Sequence, residues 1–102
     1  MISNAVFRQM ALSFRGAIEL PHFDRASFRM NKKIFATLLA KDQLAMLKLP
    51  LVEQSVFCAF DRTIIYPVPG GWGTKGATYI ELKKIKKGML KDAMTVAVNN
   101  IK

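Results

Sequence analysis

The segment 66–76, YPVPGGWGTKG, constrains the fold more than any other, because it holds two prolines and four glycines. Neither residue type is favoured inside a helix or a strand, so the chain must turn here. Residues 62–66 before it and 77–82 after it are rich in β-branched and aromatic side chains, which is typical of strands. The segment is therefore predicted to be a stiff connection between two strands.

The last six residues of this loop, from Gly71 to Gly76, also match the G-x-G-x-x-G pattern of dinucleotide-binding loops. In such loops a helix follows the glycines, and its N-terminus faces the pyrophosphate. Here a strand-like sequence follows instead, and the Gly-Lys-Ser/Thr element of a P-loop and the other signatures of kinases are missing. We interpret the match as coincidental and expect the loop to bind no nucleotide.

Trp72 lies within this loop, and two interpretations of it stay open. It can pack across a helix or a sheet edge as part of the core. It can instead be a stacking or wedge residue for a nucleic-acid base, with Lys75 close by in the sequence.

The pattern along the chain places helices at both ends and strands between them. Ser3 or Asn4 can cap a first helix that ends by Gly16, and a last helix is predicted over 87–101. Their predicted core stripes are Val6, Phe7, Met10, Ala11 and Phe14 in the first helix, and Leu90, Met94, Ala97, Val98 and Ile101 in the last.

Residues 17–22 are a candidate for a short strand outside the main set of three, and Pro21 would confine that strand to a sheet edge. Residues 28–30 and 34–38 are predicted to form a hairpin, in which a two-residue turn at Asn31-Lys32 places Phe28 opposite Phe35. A three-residue turn stays open as the alternative.

Residues 44–49 follow as the third strand, and Pro50 begins a helix that runs to Phe60. The core stripe predicted for this helix is Val52, Val56, Ala59 and Phe60. The order of helix, three strands, helix, two strands and helix predicts an α+β fold, in which an antiparallel sheet carries its helices on one face. At 102 residues the chain is expected to be one domain, 1–102.

The charge favours an anionic partner, since sixteen Lys and Arg stand against seven Asp and Glu, for a net charge of +9. Two basic clusters are candidate contacts to DNA. The hairpin cluster is Arg25, Arg29, Lys32 and Lys33; the helix-start cluster is Lys83, Lys84, Lys86 and Lys87, with Lys91 beyond it. Cations at a helix start are disfavoured by about 0.3–1 kcal/mol each, and backbone N–H groups there suit a phosphate. The alternative, given equal weight, is that the lysines of the helix-start cluster only face solvent.

Enzymatic chemistry finds little support in the sequence. His22 is the only histidine and Cys58 the only cysteine, so the chain has no multi-histidine metal site and no internal disulfide. We expect no catalytic residue, no metal and no cofactor, with Cys58 as a small core residue. The single thiol and the lack of a run of about 20 apolar residues predict a cytoplasmic protein that does not enter the membrane.

Three stretches of the sequence carry a resemblance to a known family: HFDRASFRMNKKIFATL at 22–38, LKLP at 47–50 and YPVPGGWGTKG at 66–76. Together they resemble the MmcQ/YjbR family over nearly the whole chain, although Lys32 stands where that family commonly has glycine.

The resemblance implies a two-layer α/β fold similar to that of secretion chaperones, with the order α-β(3)-α-β(2)-α. It also implies a DNA-binding role, through likeness to a double-wing domain of a phage transcription factor, and it carries over no established functional residue. Because the same fold binds protein in the chaperones, the alternative is a protein-interaction module for an acidic partner.

Overall fold

A six-stranded antiparallel sheet with the strand order β1-β2-β3-β4-β6-β5 forms the centre of the molecule. The structure, a computed structural model, describes residues 1–102. Its elements are α1 (Asn4–Leu12), β1 (Ile18–His22), β2 (Arg25–Met30), β3 (Lys33–Leu39), β4 (Leu44–Lys48), α2 (Leu51–Phe60), β5 (Ile65–Pro67), α3 (Gly71–Thr74), β6 (Ala77–Glu81) and α4 (Lys87–Ile101), with a single 3₁₀ turn at Ala40–Asp42 between β3 and β4. The predicted α+β class is confirmed.

The element order differs from the prediction by one strand before α2, which makes four strands there instead of three. Residues 18–22 pair with β2 along their whole length, from Ile18 opposite Arg29 to His22 opposite Arg25. The pairing needs β2 to begin at Arg25 and not at Phe28. β1 lies at the edge of the sheet, as Pro21 requires, because proline cannot donate to a second neighbouring strand.

The β2–β3 hairpin has the predicted two-residue turn but a different register. Asn31 and Lys32 both adopt positive φ, at 52° and 67°, which is the conformation of the turn type favoured in tight hairpins. A β-bulge then pairs Arg29 with Ile34 and Phe28 with Ala36, so Phe28 does not lie opposite Phe35 as predicted. The bulge inserts Phe35 as an extra residue, and its ring is fully buried.

The two phenylalanines find their aromatic partners on and just after the first helix. Phe28 packs edge-on against Phe7 of α1, with ring centroids 5.6 Å apart, and Phe35 packs in the same way against Phe14 at 6.4 Å. These contacts help attach α1 to one face of the sheet. The stripe predicted for α4 is confirmed at Leu90, Met94, Ala97 and Val98, which are buried in the same core, and Ile101 packs partly buried against it.

The stripe predicted for α2 is wrong. Val52, Val56 and Phe60 are 71%, 65% and 64% exposed, and Ala59 is exposed as well. The face that turns inward carries Gln54 and Cys58 instead, so Cys58 is a core residue as expected. The helix is apolar on more than one side, and periodicity does not distinguish which side packs.

The strand before the glycine-rich loop begins later than predicted, at Ile65 instead of Arg62. The Asp61 carboxylate accepts hydrogen bonds from the backbone N–H and the hydroxyl of Thr63, at 2.8 and 2.7 Å. These two hydrogen bonds hold the pKa of Asp61 below its usual value. They also bend the chain into a turn after α2, which delays β5.

Candidate nucleic-acid interface

The face of the sheet opposite the core carries a cleft of about 620 Å³. Its floor is formed by alternate residues of β4 and β6 and by two residues of β3 on either side of the bulge. One wall is the β1–β2 turn, and the other is the connection from β5 to β6. The floor residues are Ile34, Thr37, Met46, Lys48, Ala77 and Tyr79, and the wall residues are His22, Phe23, Asp24 and Arg25 on one side and Val68 and Trp72 on the other.

Trp72 forms part of the second wall, and 71% of the residue is exposed. It lies in the short helix α3, so the glycine-rich loop contains one helical turn but connects two antiparallel strands as predicted. The interpretation of Trp72 as a packed core residue is therefore wrong. Its role in stacking on a base stays a prediction.

The position of α3, the helix that carries Trp72, is fixed by hydrogen bonds from a buried glutamine, Gln54. Gln54 of α2 donates from its side-chain amide to the carbonyl oxygens of Gly73 and Ala77, at 2.9 and 3.2 Å, and lies 3.1 Å from the Thr78 hydroxyl. Gly73 leaves no space for a side chain, because a Cβ atom there would lie 1.9 Å from the Val68 carbonyl oxygen. The indole thus projects into solvent from a rigid base.

Phe23 stands in the first wall, at the tip of the β1–β2 turn, and is 95% exposed. Its φ of 59° lies in the left-handed region, which costs a bulky residue on the order of 1–2 kcal/mol. Its ring contacts that of His22 edge-on, at 4.9 Å between centroids. Strained and fully exposed aromatic residues are unusual, and such strain often marks a functional position.

Arg25, the first residue of β2, follows the same turn and lines the cleft. Its guanidinium donates to the Asp24 carboxylate at 3.1 Å. The hydrogen bond with Asp24, and to a lesser extent the Tyr79 hydroxyl, raises the pKa of Arg25, while Arg25 lowers the pKa of Asp24. Arg29 lies on the same face of β2 and donates to the Ser27 hydroxyl at 3.0 Å. Lys48 is exposed where β4 ends.

Of the residues predicted to contact DNA, only Arg25 and Trp72 line this cleft. Lys32 is in the β2–β3 turn and Lys33 directly follows it, while Lys75 follows α3; all three are exposed. The helix-start cluster lies outside the cleft: Lys83 and Lys84 are in the turn after β6, Lys86 is the N-cap of α4 and Lys87 its first residue.

The start of α4 has no side-chain cap, as expected from the sequence. Its four lysines are exposed, and the ammonium group of Lys84 lies 3.5 Å from the Thr63 carbonyl oxygen. Lys87 and Lys91 also line a second, shallower cleft of about 500 Å³ between α1 and α4. The two predicted basic clusters therefore lie on separate parts of the surface.

Few of the cations are neutralised by a neighbouring carboxylate. The chain forms two ion pairs, Arg8 with Glu19 at 3.2 Å and Arg25 with Asp24 at 3.1 Å. Of sixteen Lys and Arg, fourteen therefore have no carboxylate within 4 Å. The positive charge is available to an external anion.

Neither a metal centre nor a membrane span is found in the structure. No three His, Cys, Asp or Glu side chains lie close enough together to bind a metal ion. No helix has both the length and the apolar character needed to cross a bilayer.

The cleft floor and Phe23 had no signal in the sequence that marked them as a site. Met46, Thr37 and Ile34 look like ordinary strand residues, and only the register of three strands places them together. Along β4 the structure leaves Leu44, Met46 and Lys48 more exposed than Ala45 and Leu47, an alternation that the sequence LAMLK does not show as a polar pattern.

The fold and the cleft define a small α+β domain with one face of its sheet covered by helices and the other face open. The architecture is similar to that of a solved structure, the Deinococcus radiodurans protein DR2400, whose family-model domain is DUF419. The two chains are 13% identical, with a TM-score of 0.86, and the match covers 99% of this chain and 79% of that one.

This likeness shows the fold alone, so it supports the two-layer fold implied by the resemblance, while membership of the MmcQ/YjbR family stays a prediction. No family model matches the sequence. No curated protein matches it either.

Proposed function

We propose that this protein binds DNA, mainly through contacts of its lysine and arginine side chains to phosphates. The observation that carries the proposal is the set of fourteen cations without a carboxylate partner on a domain of net charge +9. A domain with so many unneutralised cations attracts polyanions strongly, because each phosphate contact releases a condensed counterion. Phosphate contacts alone carry no sequence information, so the proposal includes no sequence preference.

Both basic clusters take part in this proposal. The exposed residues Lys84, Lys86 and Lys87 lie around an uncapped helix start, where backbone N–H groups are also available to an anion. Lys32 and Lys33 at the end of the β2–β3 hairpin form a separate projection. No catalytic residue, metal or cofactor is part of the proposed function.

The salt dependence of duplex binding tests the helix-start cluster. The logarithm of the affinity for duplex DNA falls with the logarithm of salt by about 0.9 per phosphate contact. Replacing Lys84, Lys86 and Lys87 with glutamine is expected to flatten that slope by roughly 2.7 if all three contact phosphate. Folding stability should hold or rise slightly, because cations leave the positive end of a helix dipole.

A second triple variant, of Arg25, Arg29 and Lys32, measures the hairpin cluster in the same assay. Heparin serves as the polyanion without bases. If both triple variants keep the wild-type slope while circular dichroism shows an intact fold, the cations only face solvent and the proposal is wrong.

A protein-interaction module is the second candidate function, and the exposed apolar face of α2 favours it. Leu51, Val52, Val56 and Phe60 are each more than half exposed. Adjacent apolar side chains on a helix surface often mark a protein contact. The apolar contact that this face would make with an acidic partner protein depends little on salt, and Val56→Asp would weaken that contact without changing the salt slope for DNA.

A further inference from the structure

The two most exposed aromatic side chains near the sheet, Phe23 and Trp72, border the same cleft. They are 95% and 71% exposed and come from opposite walls, one from the β1–β2 turn and one from α3. Exposure of one aromatic ring is common on protein surfaces, since much of any surface is apolar. Two such rings on facing walls of one cleft, each on a constrained backbone, need a separate explanation.

The backbone constraints at both positions favour exposure of the rings. Phe23 is held at a φ of 59° by a two-residue turn, which a glycine or asparagine would adopt at lower cost. Trp72 projects from a turn that Gln54 binds through buried hydrogen bonds and that Gly73 allows to pack against Val68. Neither ring contributes to the core, so folding does not account for either residue.

The chemistry of the cleft fits a flat, largely apolar group that carries negative charge. Its floor includes the side chains of Ile34, Met46 and Tyr79, which offer apolar contact. Cations lie at its margins, where Arg25, paired with the exposed Asp24, belongs to one wall and the unpaired, exposed Lys48 to the end of the floor. An unpaired base attached to a phosphate backbone has this combination, and aromatic side chains beside basic ones are the usual platform for it.

We infer that this cleft binds an unpaired base of single-stranded DNA, stacked against Trp72 and Phe23, with Arg25 and Lys48 placed for the adjoining phosphates. The inference rests on the proposed function, because it names the form of DNA that the domain prefers. Bases in a duplex are paired and stacked on one another, so they do not reach the cleft unless they are flipped out. Single strands should therefore bind more tightly than duplexes of equal charge.

The experiment uses the intrinsic fluorescence of Trp72, the only tryptophan in the chain. Short oligo(dT) and an abasic oligonucleotide of the same length are titrated at several salt concentrations. Oligo(dT) is expected to quench Trp72 and to bind more tightly, while the abasic strand should bind with a similar salt slope and little quenching. The comparison separates stacking on bases from attraction to phosphates.

Single alanine variants then test the two rings. Trp72→Ala and Phe23→Ala should each weaken oligo(dT) binding by about 5- to 150-fold, with the affinity for the abasic strand nearly unchanged. Because Trp72→Ala lacks the tryptophan, its binding is followed by the fluorescence anisotropy of a labelled strand. Phe60→Ala is the matched control, because Phe60 is also an exposed phenylalanine, at 64%, but lies on α2 outside the cleft. It should bind oligo(dT) like the wild type.

The outcomes distinguish the two proposals. If oligo(dT) and the abasic strand bind equally, or if Phe23→Ala and Trp72→Ala affect oligo(dT) no more than Phe60→Ala, the cleft does not hold a base, and the phosphate-binding proposal still stands. If neither strand, nor duplex DNA, binds at low salt, both proposals are wrong. Circular dichroism of each variant confirms that the fold is retained, as expected for side chains so exposed.

Discussion

Replacing Gly73 with alanine tests whether the loop that presents Trp72 is as tightly packed as the structure shows. The added Cβ atom would lie 1.9 Å from the Val68 carbonyl oxygen and 3.2 Å from the Pro67 side chain. A separation below 3.0 Å is not tolerated, and the nearest obstacle is backbone, which cannot rotate away as a side chain can. Either α3 or the segment after β5 must therefore shift by more than about an ångström.

The cost of this shift follows from the contacts it breaks. Forcing extra volume into a packed site costs about 1–3 kcal/mol. Moving Gly73 also weakens the hydrogen bond of 2.9 Å that its carbonyl oxygen accepts from Gln54, which contributes about 0.5–1.5 kcal/mol. We expect Gly73→Ala to lower the free energy of unfolding by about 2–4 kcal/mol.

Gly71→Ala is the matched control, two residues away in the same helical turn. A Cβ atom at Gly71 meets nothing within 4 Å, and its φ is not in the left-handed region. Alanine there should stabilise the fold by about 0.4–1 kcal/mol, since it reduces the freedom of the unfolded chain.

Urea unfolding followed by circular dichroism measures both glycine variants. With a denaturant slope of about 1–3 kcal/mol per molar urea, the midpoint of Gly73→Ala should fall by on the order of 1–3 M. The fluorescence of Trp72 reports the local change in the same samples. Equal midpoints for the Gly71 and Gly73 variants, within about 0.5 kcal/mol, would show that the approach to Val68 is not tight and that α3 is not fixed in the way described.

Two further predictions concern buried or partly buried polar groups. Gln54→Met keeps the shape of the side chain but removes its hydrogen bonds to two carbonyl oxygens, so it should lower the free energy of unfolding by about 1–3 kcal/mol, measured in urea. The control is Gln9→Met on the exposed surface of α1, which should change the free energy of unfolding by less than about 0.5 kcal/mol. Burial, together with the hydrogen bond that the Tyr66 hydroxyl donates to the Glu81 carboxylate, raises the pKa of Tyr66 from 10.0 to about 12. The folded state therefore holds this proton more tightly than the unfolded state, so the contribution of Tyr66 is fully present below pH 10.0 and is lost as pH rises to about 12. Unfolding measured across that interval should show a smaller loss of stability in Tyr66→Phe than in the wild type, and equal pH profiles would contradict the assignment.

Local patterns in the sequence were sufficient for much of the architecture. The spacing of Leu90, Met94 and Val98 predicted the core face of α4, because a helix with one apolar stripe can be buried in only one orientation. The turn at Asn31-Lys32 was likewise predictable, since a two-residue hairpin turn depends on its own residues and their immediate neighbours. Pro21 predicted an edge strand for the same reason, because the missing N–H is a property of that residue alone.

The candidate site depended on features that the sequence does not contain locally. Ile34, Met46 and Tyr79 come from three different strands, and they share a floor only because the register of each pair is set by the packing of the opposite face. The bulge at Phe35 is a similar case. The position of the bulge depends on burial of the Phe35 ring in the core, and the turn of the hairpin does not determine it.

The exposure of Trp72 and of the α2 stripe was decided by tertiary structure alone. Val52, Val56 and Phe60 have the spacing of a core face, but Gln54 faces inward instead, and its buried amide is satisfied by the carbonyl oxygens of Gly73 and Ala77. That single orientation leaves the apolar stripe in solvent and fixes the turn that carries Trp72. The sequence by itself determined most of the helices and strands, because those preferences are local. The tertiary structure decided which of their faces remain open, because burial is settled only between segments distant in the chain.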